Sequence, residues 1–238
     1  MDEKALRNDI IEVGRRLYMK DFVASNDGNI SIRLDDNRIL ITPTGVSKGF
    51  MNPDMLLIVD RNGEVLEGTS RPSSEMAMHL AVYEERPDVR AVVHAHPPTA
   101  TGFAVARVSL DRIALPEVVY NLGTISLAPY GTPSTQQVPD SIRGIIKTSD
   151  GVLLSNHGAL TVGPDVMKAY YRMETLEAVA KITLVARNLG GEAFLSRPEI
   201  ERLYSMKEAM SGSKSADDIN PDLVAEVIAR VMKELHRD

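Results

Sequence analysis

The chain has 238 residues, of which 43% are hydrophobic and 25% charged, a size and composition that suit one large globular domain or at most two. A formal net charge of −6 argues against a nucleic-acid partner, and no apolar run reaches the ~18 residues that would cross a membrane. Cysteine is absent, which excludes disulfides and thiolate chemistry, and the charged N-terminus lacks the apolar core of a signal peptide, so we expect a cytoplasmic protein.

Helical and strand patterns alternate along residues 1–210. Apolar residues recur at helical spacing over residues 2–20, and strands 30–34 and 38–42 flank a turn as a hairpin. Further on we predict a strand at 55–60, helix 73–86, strand 90–95, helix 99–106, strands 118–120 and 125–128, helix 139–147, strands 152–155 and 159–162, and helices 164–190 and 197–210. Hairpins as well as crossovers predict one α/β domain with a central mixed, mostly antiparallel sheet flanked by helices.

The C-terminal segment has a different character. Residues 211–219 are small and polar, as in a flexible linker, and residues 220–238 then predict an amphipathic helix. Asn220 is a good N-cap and Pro221 a good first helical residue. The predicted apolar stripe consists of Leu223, Val224, Val227, Ile228, Val231, Met232 and Leu235. The pattern predicts a detachable helix on a tether.

Two histidines end the buried strand at 90–95. Side chains alternate faces along a strand, so His94 and His96 point the same way, and Pro97 and Pro98 stop the strand just after them. Two imidazoles so placed suit one metal ion. Such a pair is also often structural, and a metallo-hydrolase remains an alternative, although its usual downstream Asp-His is here replaced by the two prolines.

Two more residues could complete a metal site. Glu75 lies in the first turn of the predicted helix 73–86, and His157 precedes Gly158, which lets the backbone turn closely behind the imidazole. A carboxylate and three imidazoles are a complete ligand set for Zn²⁺ or a similar divalent ion. If Glu75 leaves the metal when substrate binds, it becomes a general base beside a Lewis acid. His79 lies one helical turn from Glu75 and could support the site from behind it, but a plain surface or packing role is the favoured interpretation.

Three turn pairs offer amide and hydroxyl donors to an anion. The second pair follows a strand, and the third precedes a predicted helix, where free N–H groups favour a phosphate. Turns are rich in such residues for conformational reasons as well, so one pair alone is a weak signal. The pairs are Gly28 and Asn29, Thr44 and Gly45, and Ser73 and Ser74.

Five motifs in order resemble the class II aldolase/adducin family over about residues 5–205. They are Gly28-Asn29-Ile30-Ser31, Thr42-Pro43-Thr44-Gly45, Pro72-Ser73-Ser74-Glu75, Val93-His94-Ala95-His96 and Asn156-His157-Gly158. The resemblance implies an αβα sandwich in a C4 homotetramer, with active sites at subunit interfaces. For members similar to L-fuculose-1-phosphate aldolase it implies one Zn²⁺ per subunit on Glu75, His94, His96 and His157. It also implies a phosphate seat formed by Asn29, Thr44, Gly45, Ser73 and Ser74.

The resemblance implies metal-dependent, reversible retro-aldol cleavage of a (deoxy)ketose 1-phosphate. The leading substrate is L-fuculose 1-phosphate, which gives dihydroxyacetone phosphate and an aldehyde such as L-lactaldehyde. Glu75 would shuttle the proton at C3, and Lys48 and Arg71 would assist charge near the phosphate. A sugar-phosphate epimerase, decarboxylase or dehydratase on the same metal site is an alternative. A non-catalytic adducin-like module is disfavoured, because this chain keeps all four metal residues.

The second acid departs from the family pattern. Glu117 falls near the position at which fuculose-phosphate aldolases carry a tyrosine that donates a proton from the neighbouring subunit. Glu117 or Tyr120 from the next subunit could serve the aldehyde oxygen, and an ion-paired surface glutamate is the alternative. The family's C-terminal tyrosine is not clearly matched, because Tyr204 is offset.

The tethered helix at 220–238 resembles the encapsulation peptides of enzymes packaged in bacterial microcompartments. The expected partner is then the microcompartment shell, and the expected location is the cytoplasm or the interior of that compartment. The alternative is that the helix packs on its own domain or on a neighbouring subunit.

Overall fold

The computed structural model describes residues 2–210, so the predicted linker at 211–219 and helix at 220–238 lie outside the described residues. The helices are α1 (Glu3–Met19), α2 (Met76–Glu85), α3 (Pro98–Ala106), α4 (Pro116–Asn121), α5 (Gln137–Ile146), α6 (Val166–Asn188) and α7 (Arg197–Met210). The strands are β1 (Asn29–Arg33), β2 (Ile39–Ile41), β3 (Leu57–Val59), β4 (Val65–Glu67), β5 (Ala91–Ala95), β6 (Ile125–Ala128), β7 (Gly151–Leu154) and β8 (Gly158–Gly163).

One sheet contains all eight of these strands, in the order β4-β3-β2-β1-β5-β8-β7-β6. Every neighbouring pair is antiparallel except β6 and β7, which are parallel. This arrangement confirms the predicted mixed, mostly antiparallel sheet. The strands that carry or border the histidines, β1, β5 and β8, lie at the middle of the sheet.

Helices cover both faces of the sheet, which confirms the expected αβα sandwich. Buried residues of α1, α3, α4 and α6 form a core on one face, and those of α2 and α5 form a second core on the other. Strand β5 divides its side chains between the two, with Val93 in the first core and Val92 in the second. Because faces alternate, His94 lies on the same side as Val92, towards α2.

Two elements differ from the prediction. Strand β4 was not predicted, because all three of its residues are exposed and it lacks the alternation of a half-buried strand. Residues 118–120 were predicted as a strand but lie in α4, so that prediction is wrong. Pro116 stands at the start of this helix, and Val118 and Val119 are buried where α4 packs on α6 and α7. Tertiary packing here overrides the β-propensity of valine and tyrosine.

The start of α2 also differs from the prediction. The helix begins at Met76 with Glu75 at its N-cap position, so Ser73 and Ser74 lie in the preceding turn. The Ser73 hydroxyl accepts a hydrogen bond from the Glu75 backbone N–H at 3.3 Å, and the Ser73 carbonyl accepts one from Met76 N–H at 3.1 Å. These bonds hold the turn and place Glu75 where the helix meets the sheet.

A buried carboxylate fixes the start of α3, the helix that follows the histidine pair. Glu177 of α6 is 1% exposed and accepts hydrogen bonds from the backbone N–H groups of Thr99 at 3.1 Å and Ala100 at 2.8 Å. Negative charge at a helix N-terminus is favourable, because the first N–H groups have no partner within the helix. The contact anchors α3 to α6 directly after Pro97.

Within residues 2–210 we find no helix whose length and apolarity would let it cross a bilayer.

Candidate metal centre

Three histidines converge at the end of β5. Their candidate ligand atoms all lie within 4.8 Å of one another. His94 and His96 come from β5 and the residue after it, and His157 comes from the turn between β7 and β8. Since β8 pairs with β5, the turn that carries His157 lies beside the end of the strand that carries His94. The sheet order therefore brings distant sequence segments together.

Hydrogen bonds set the direction of two of the rings. The Nδ1 atom of His94 lies 2.9 Å from the carbonyl oxygen of Ala159, to which it can only donate, so its Nε2 atom faces the cluster. The Nε2 atoms of His94 and His96 are 3.2 Å apart, and His96 Nδ1 lies 3.4 Å from the Asp27 carboxylate. A carboxylate behind an imidazole is a common outer support of metal ligands. Sequence analysis missed Asp27, whose only signal is its place beside Gly28.

Glu75 contacts two of the three imidazoles. Its Oε2 lies 3.2 Å from His94 Nε2, and its Oε1 lies 3.0 Å from His157 Nε2. Burial alone would raise the pKa of Glu75, but His94 and His157 hold that pKa well below its ordinary range, so the side chain is a carboxylate. Burial and the positive charge of its histidine neighbours lower the pKa of His96 to about 4.

The donor set fits a divalent metal ion. Within residues 2–210, the buried His157 Nδ1 has no hydrogen-bond partner, and Glu75 Oε1, although 3.0 Å from His157 Nε2, makes no well-aligned hydrogen bond. Although burial opposes it, the Glu75 carboxylate raises the pKa of His94, so protons supply positive charge between these atoms, and a divalent cation could take their place. Imidazole and carboxylate donors suit Zn²⁺ and related ions. These residues therefore have the chemistry of a metal site.

Gly158 allows the close approach of the rings. A Cβ atom at this position would lie 2.5 Å from His96 Cδ2 and 2.6 Å from the Ala95 carbonyl oxygen. Both distances are too short for a real contact, so only glycine fits without movement. This agrees with the expectation that the glycine lets the backbone turn closely behind the imidazole.

The predicted anion-binding pairs surround Glu75. Pro43 and Pro72 form an isolated bridge, and Thr44 N–H donates to the Arg71 carbonyl at 3.0 Å, so the Thr44 loop lies beside the turn before α2. Gly28 has a φ of +74°, which favours glycine, and a Cβ there would meet the His94 carbonyl at 2.9 Å. A cavity of about 200 Å³ opens beside Ser74 and Glu75, with residues 134–136 on its other side.

Comparison with known proteins bears on what this site does. Residues 8–184 match the family model of the class II aldolase and adducin N-terminal domain. The chain belongs to the class II aldolase and adducin family.

The similar proteins include both aldolases and decarboxylases. An L-fuculose phosphate aldolase of Methanococcus maripaludis is 35% identical over 181 residues, which cover 76% of this chain and 97% of that protein. A 3-oxo-tetronate 4-phosphate decarboxylase of Haemophilus influenzae is 32% identical over 190 residues, covering 76% and 88%. A solved L-fuculose 1-phosphate aldolase superposes with a TM-score of 0.80 at 28% identity, covering 87% and 99% of the two chains. The family and its fold are thus shown, and both aldolases and decarboxylases are near relatives.

Two polar residues have surroundings that the sequence did not reveal. His79 is fully buried and contacts Ser31 and Asn29, so the expectation of a surface position is wrong, whereas a role behind Glu75 stays a prediction. Lys48 is 1% exposed, and its ammonium donates to the carbonyls of Asn26 at 2.9 Å and Val46 at 2.6 Å. The lysine therefore fixes two loops next to the site, and burial lowers its pKa to about 8.

The two candidates for the second acid lie on α4. Glu117 is exposed and Tyr120 half-buried, and within residues 2–210 no hydrogen bond or ion pair joins either of them to the histidine cluster. The fold of one chain therefore does not bring the second-acid candidates to the metal residues. Tyr204 of α7 donates its hydroxyl to the Gly123 carbonyl at 3.2 Å, which occupies it in packing.

Proposed function

We propose that this class II aldolase catalyses the metal-dependent, reversible retro-aldol cleavage of a (deoxy)ketose 1-phosphate. The leading candidate substrate is L-fuculose 1-phosphate, with dihydroxyacetone phosphate and L-lactaldehyde as products. The observation that carries the proposal is the position of Glu75, whose carboxylate contacts His94 and His157 and whose backbone N–H donates to the Ser73 hydroxyl. The aldolase relative at 35% identity supports the same reaction.

In this proposal Glu75, His94, His96 and His157 hold one Zn²⁺, or another divalent ion, per subunit. A bound ion of this kind supplies Lewis-acid polarisation of the substrate carbonyl, which stabilises the negative charge that develops when the C3–C4 bond breaks. The carboxylate of Glu75 is ionised and lies at the edge of the cavity beside Ser74, so it can accept and return the proton at C3.

The turns around Glu75 are assigned to the substrate phosphate. Ser73 and Ser74 directly precede Glu75, and the hydrogen bond from Thr44 N–H to the Arg71 carbonyl joins the Thr44–Gly45 loop to the same segment. The amide of Asn29 reaches Glu75 itself at 3.0 Å and has a second N–H for an anion. Gly28, which has no side chain, lets the backbone before Asn29 lie close to the His94 carbonyl. Together these groups would hold the dihydroxyacetone phosphate half of the substrate.

The second acid is assigned to a neighbouring subunit. Glu117 and Tyr120 make no contact with the histidine cluster within residues 2–210, and Glu117 is exposed on α4. A C4 homotetramer with active sites at subunit interfaces would let one of them protonate the aldehyde oxygen of a substrate held by the next chain. Mixing inactive Glu75→Gln and Glu117→Gln subunits tests this directly, since restored activity in the hybrid requires sites shared between chains.

The reaction is tested by incubating the purified protein with dihydroxyacetone phosphate and a panel of aldehydes that includes L-lactaldehyde. We expect a condensation product with at least one aldehyde, its loss after chelation, and its return when Zn²⁺ is added. The variant His94→Ala should lose both bound metal and activity, whereas Ser149→Ala, a buried serine at the other end of the sheet, should keep both. No product with any aldehyde would end the aldolase assignment.

A decarboxylase is the second candidate function. The relative at 32% identity with this name supports it, and the same metal chemistry would stabilise the charge that forms on loss of carbon dioxide. Incubation with 3-oxo-tetronate 4-phosphate and measurement of released carbon dioxide separates the two. A higher kcat/KM for this substrate than for any ketose 1-phosphate would replace the first proposal.

For the C-terminal segment we propose a packaging role. Residues 211–238 would act as a linker and a docking helix that binds a microcompartment shell and so places a cytoplasmic enzyme inside that compartment. The apolar stripe of residues 220–238 in the sequence supports this proposal. Fusing residues 211–238 to a fluorescent protein and following its co-purification with shells tests it, and a fusion that stays free would contradict it.

A further inference from the structure

A row of buried polar side chains leads from the interior of the fold to Glu75. Tyr83 Oη lies 2.7 Å from Ser31 Oγ, which lies 2.7 Å from His79 Nδ1. On the other side of the ring, His79 Nε2 contacts Asn29 Oδ1, and Asn29 Nδ2 donates to Glu75 Oε2 at 3.0 Å. The side chains that lead to Glu75 are all buried, with exposures between 0% and 7%. We call this row, Tyr83, Ser31, His79 and Asn29, the buried chain.

Secondary structure explains why these residues meet. Glu75, His79 and Tyr83 are four residues apart, so they form one stripe of α2 and of the turn that begins it. Asn29 and Ser31 are two residues apart on β1 and therefore face the same side of the sheet. The helical stripe packs on that side, which interleaves the five polar groups in an otherwise apolar core.

The charge of Glu75 fixes every proton in the buried chain. A carboxylate can only accept hydrogen bonds, so Asn29 must turn its NH₂ towards Glu75 and its Oδ1 towards His79. His79 Nε2 must then carry a hydrogen. The neutral ring leaves Nδ1 as an acceptor, which receives the hydrogen of Ser31, and Ser31 in turn receives that of Tyr83. The reverse order would aim the Asn29 oxygen at the carboxylate.

We propose that His79 is a positioning residue that holds Glu75 in place for the metal through Asn29. The buried chain locks the Asn29 amide in one of its two orientations, and that orientation keeps a donor on Glu75 Oε2 and leaves Glu75 Oε1 on the His157 side. The inference rests on the proposed function in one respect, which is that Glu75 is a metal ligand.

The surroundings of His79 agree with a neutral ring. Burial, together with the positive charge of His94, lowers the pKa of His79 to about 3. Burial also raises the pKa of Tyr83, so its hydroxyl keeps the hydrogen that it donates to Ser31. At neutral pH every member of the buried chain is therefore uncharged, and only Glu75, at its end, carries a charge.

The experiment measures binding of Co²⁺ alone to chelated, full-length protein, with visible absorption for the ligand field and chelator competition for the dissociation constant. His79→Leu removes the donor to Asn29, whereas His79→Gln keeps a neutral donor and an acceptor at similar positions. Ser31→Ala frees Nδ1 and so permits the other tautomer. The matched control is Ser149→Ala, which removes an equally buried serine hydroxyl that pairs with Thr124 at 2.8 Å, away from the buried chain.

We expect His79→Leu to weaken Co²⁺ binding by about 10- to 100-fold and to change the absorption spectrum, as for other groups that support metal ligands. His79→Gln should restore most of the affinity, and Ser149→Ala should bind as the wild type does. If His79→Leu does not fold, Ser31→Ala must show the loss, and ¹⁵N spectra of its histidines must show a change from the Nε2–H form. Wild-type affinity and spectrum in the folded variants overturn the inference. A wild type that binds no Co²⁺ overturns the proposed function and this inference with it.

Discussion

At the scale of single residues, Lys48 shows how the loops next to the site are held. Its ammonium is buried and donates to two backbone carbonyls, from Asn26 and Val46, and among the described residues no ion pair with a carboxylate includes it. The folded state therefore keeps a poorly solvated charge in order to join the segment before β1 to the segment after β2.

This burial predicts a pH dependence of stability. Burial lowers the pKa of Lys48 from 10.5 to about 8, so between pH 8 and 10.5 the unfolded chain binds more protons than the folded one, and stability rises with pH. Below pH 8 both states are protonated and the gain is absent. The full gain is at most about 3 kcal/mol. Urea unfolding of chelated wild type and Lys48→Met at pH 7.5 and 10 should show the wild type gaining on the variant at the higher pH. An equal difference at both values contradicts the prediction.

Gly158 and Gly144 form a matched pair for a second prediction. Gly158→Ala must push a Cβ against His96 and the Ala95 carbonyl, so we expect a loss of about 1–3 kcal/mol in the free energy of unfolding and weaker metal binding. Gly144→Ala adds a Cβ to α5 with no atom within 4 Å, so it should raise stability by about 0.5–1 kcal/mol. Denaturant unfolding and metal titration of both variants give the comparison. Equal effects would show that space behind the His96 ring does not matter.

The individual residues differ in how far the sequence could predict them. The strand alternation of His94 and His96 is local, so their common direction follows from spacing alone. The role of His79 depends on Asn29 and Ser31, which approach it only after β1 packs on α2. The spacing of one helical turn from Glu75 suggested a supporting role as one possibility, but it could not show the contacts with Asn29 and Ser31, so a packing or surface role was favoured.

At the scale of secondary structure, the start of α3 depends on one carboxylate from another helix. Glu177 accepts hydrogen bonds from two N–H groups of α3, and Lys181 lies 3.4 Å from it on the exposed side. Glu177→Ala should cost about 2–4 kcal/mol of stability, because two charge-assisted hydrogen bonds are lost and two N–H groups are left buried. Lys181→Ala removes only a solvated ion pair and should cost less than about 1 kcal/mol. Chemical unfolding of the two variants checks the difference, and similar losses would contradict the assigned cap.

Helix α4 and strand β4 could not be predicted from local sequence patterns. The Val118-Val119-Tyr120 run has high β-propensity, but its buried valines face α6 and α7, which the sequence around them does not reveal. Strand β4 is short, exposed and at the edge of the sheet, and pairing with β3 alone defines it. The long, strongly periodic helices and the apolar strands were predicted to within a few residues. The spacing of their apolar residues follows the period of the helix or strand and marks the buried face.

At the scale of the whole molecule, residues 2–210 form two hydrophobic cores, one on each face of the sheet. All candidate site residues also lie in this part of the chain. We therefore expect deletion of residues 211–238 to leave the protein folded, with unchanged metal content, activity and elution volume in size-exclusion chromatography. Melting temperature should change by less than about 2 °C, since every core residue found within residues 2–210 is kept. Aggregation or a smaller assembly after deletion would show that the segment packs on the enzyme instead.

The αβα architecture was predicted because hairpins and helices alternate along the chain, and the family motifs lie at the ends of those elements. Strand order was not predicted from spacing, since the insertion of β5 between β1 and β8 is a property of the whole sheet. That same insertion places Glu75, His94 and His157 within contact, although sequence analysis could group them only by their chemistry and by resemblance.

The central position of β1, β5 and β8 affects when, during synthesis and folding, the candidate metal site can form. Until β8 has left the ribosome and paired with β5, only His94 and His96 of the three clustered histidines are side by side. Contacts between segments so far apart in sequence form late, because the intervening chain must first be ordered. If the site binds a metal as proposed, its uptake is coupled to completion of the sheet, and a chain truncated before His157 would gain little protection from the ion.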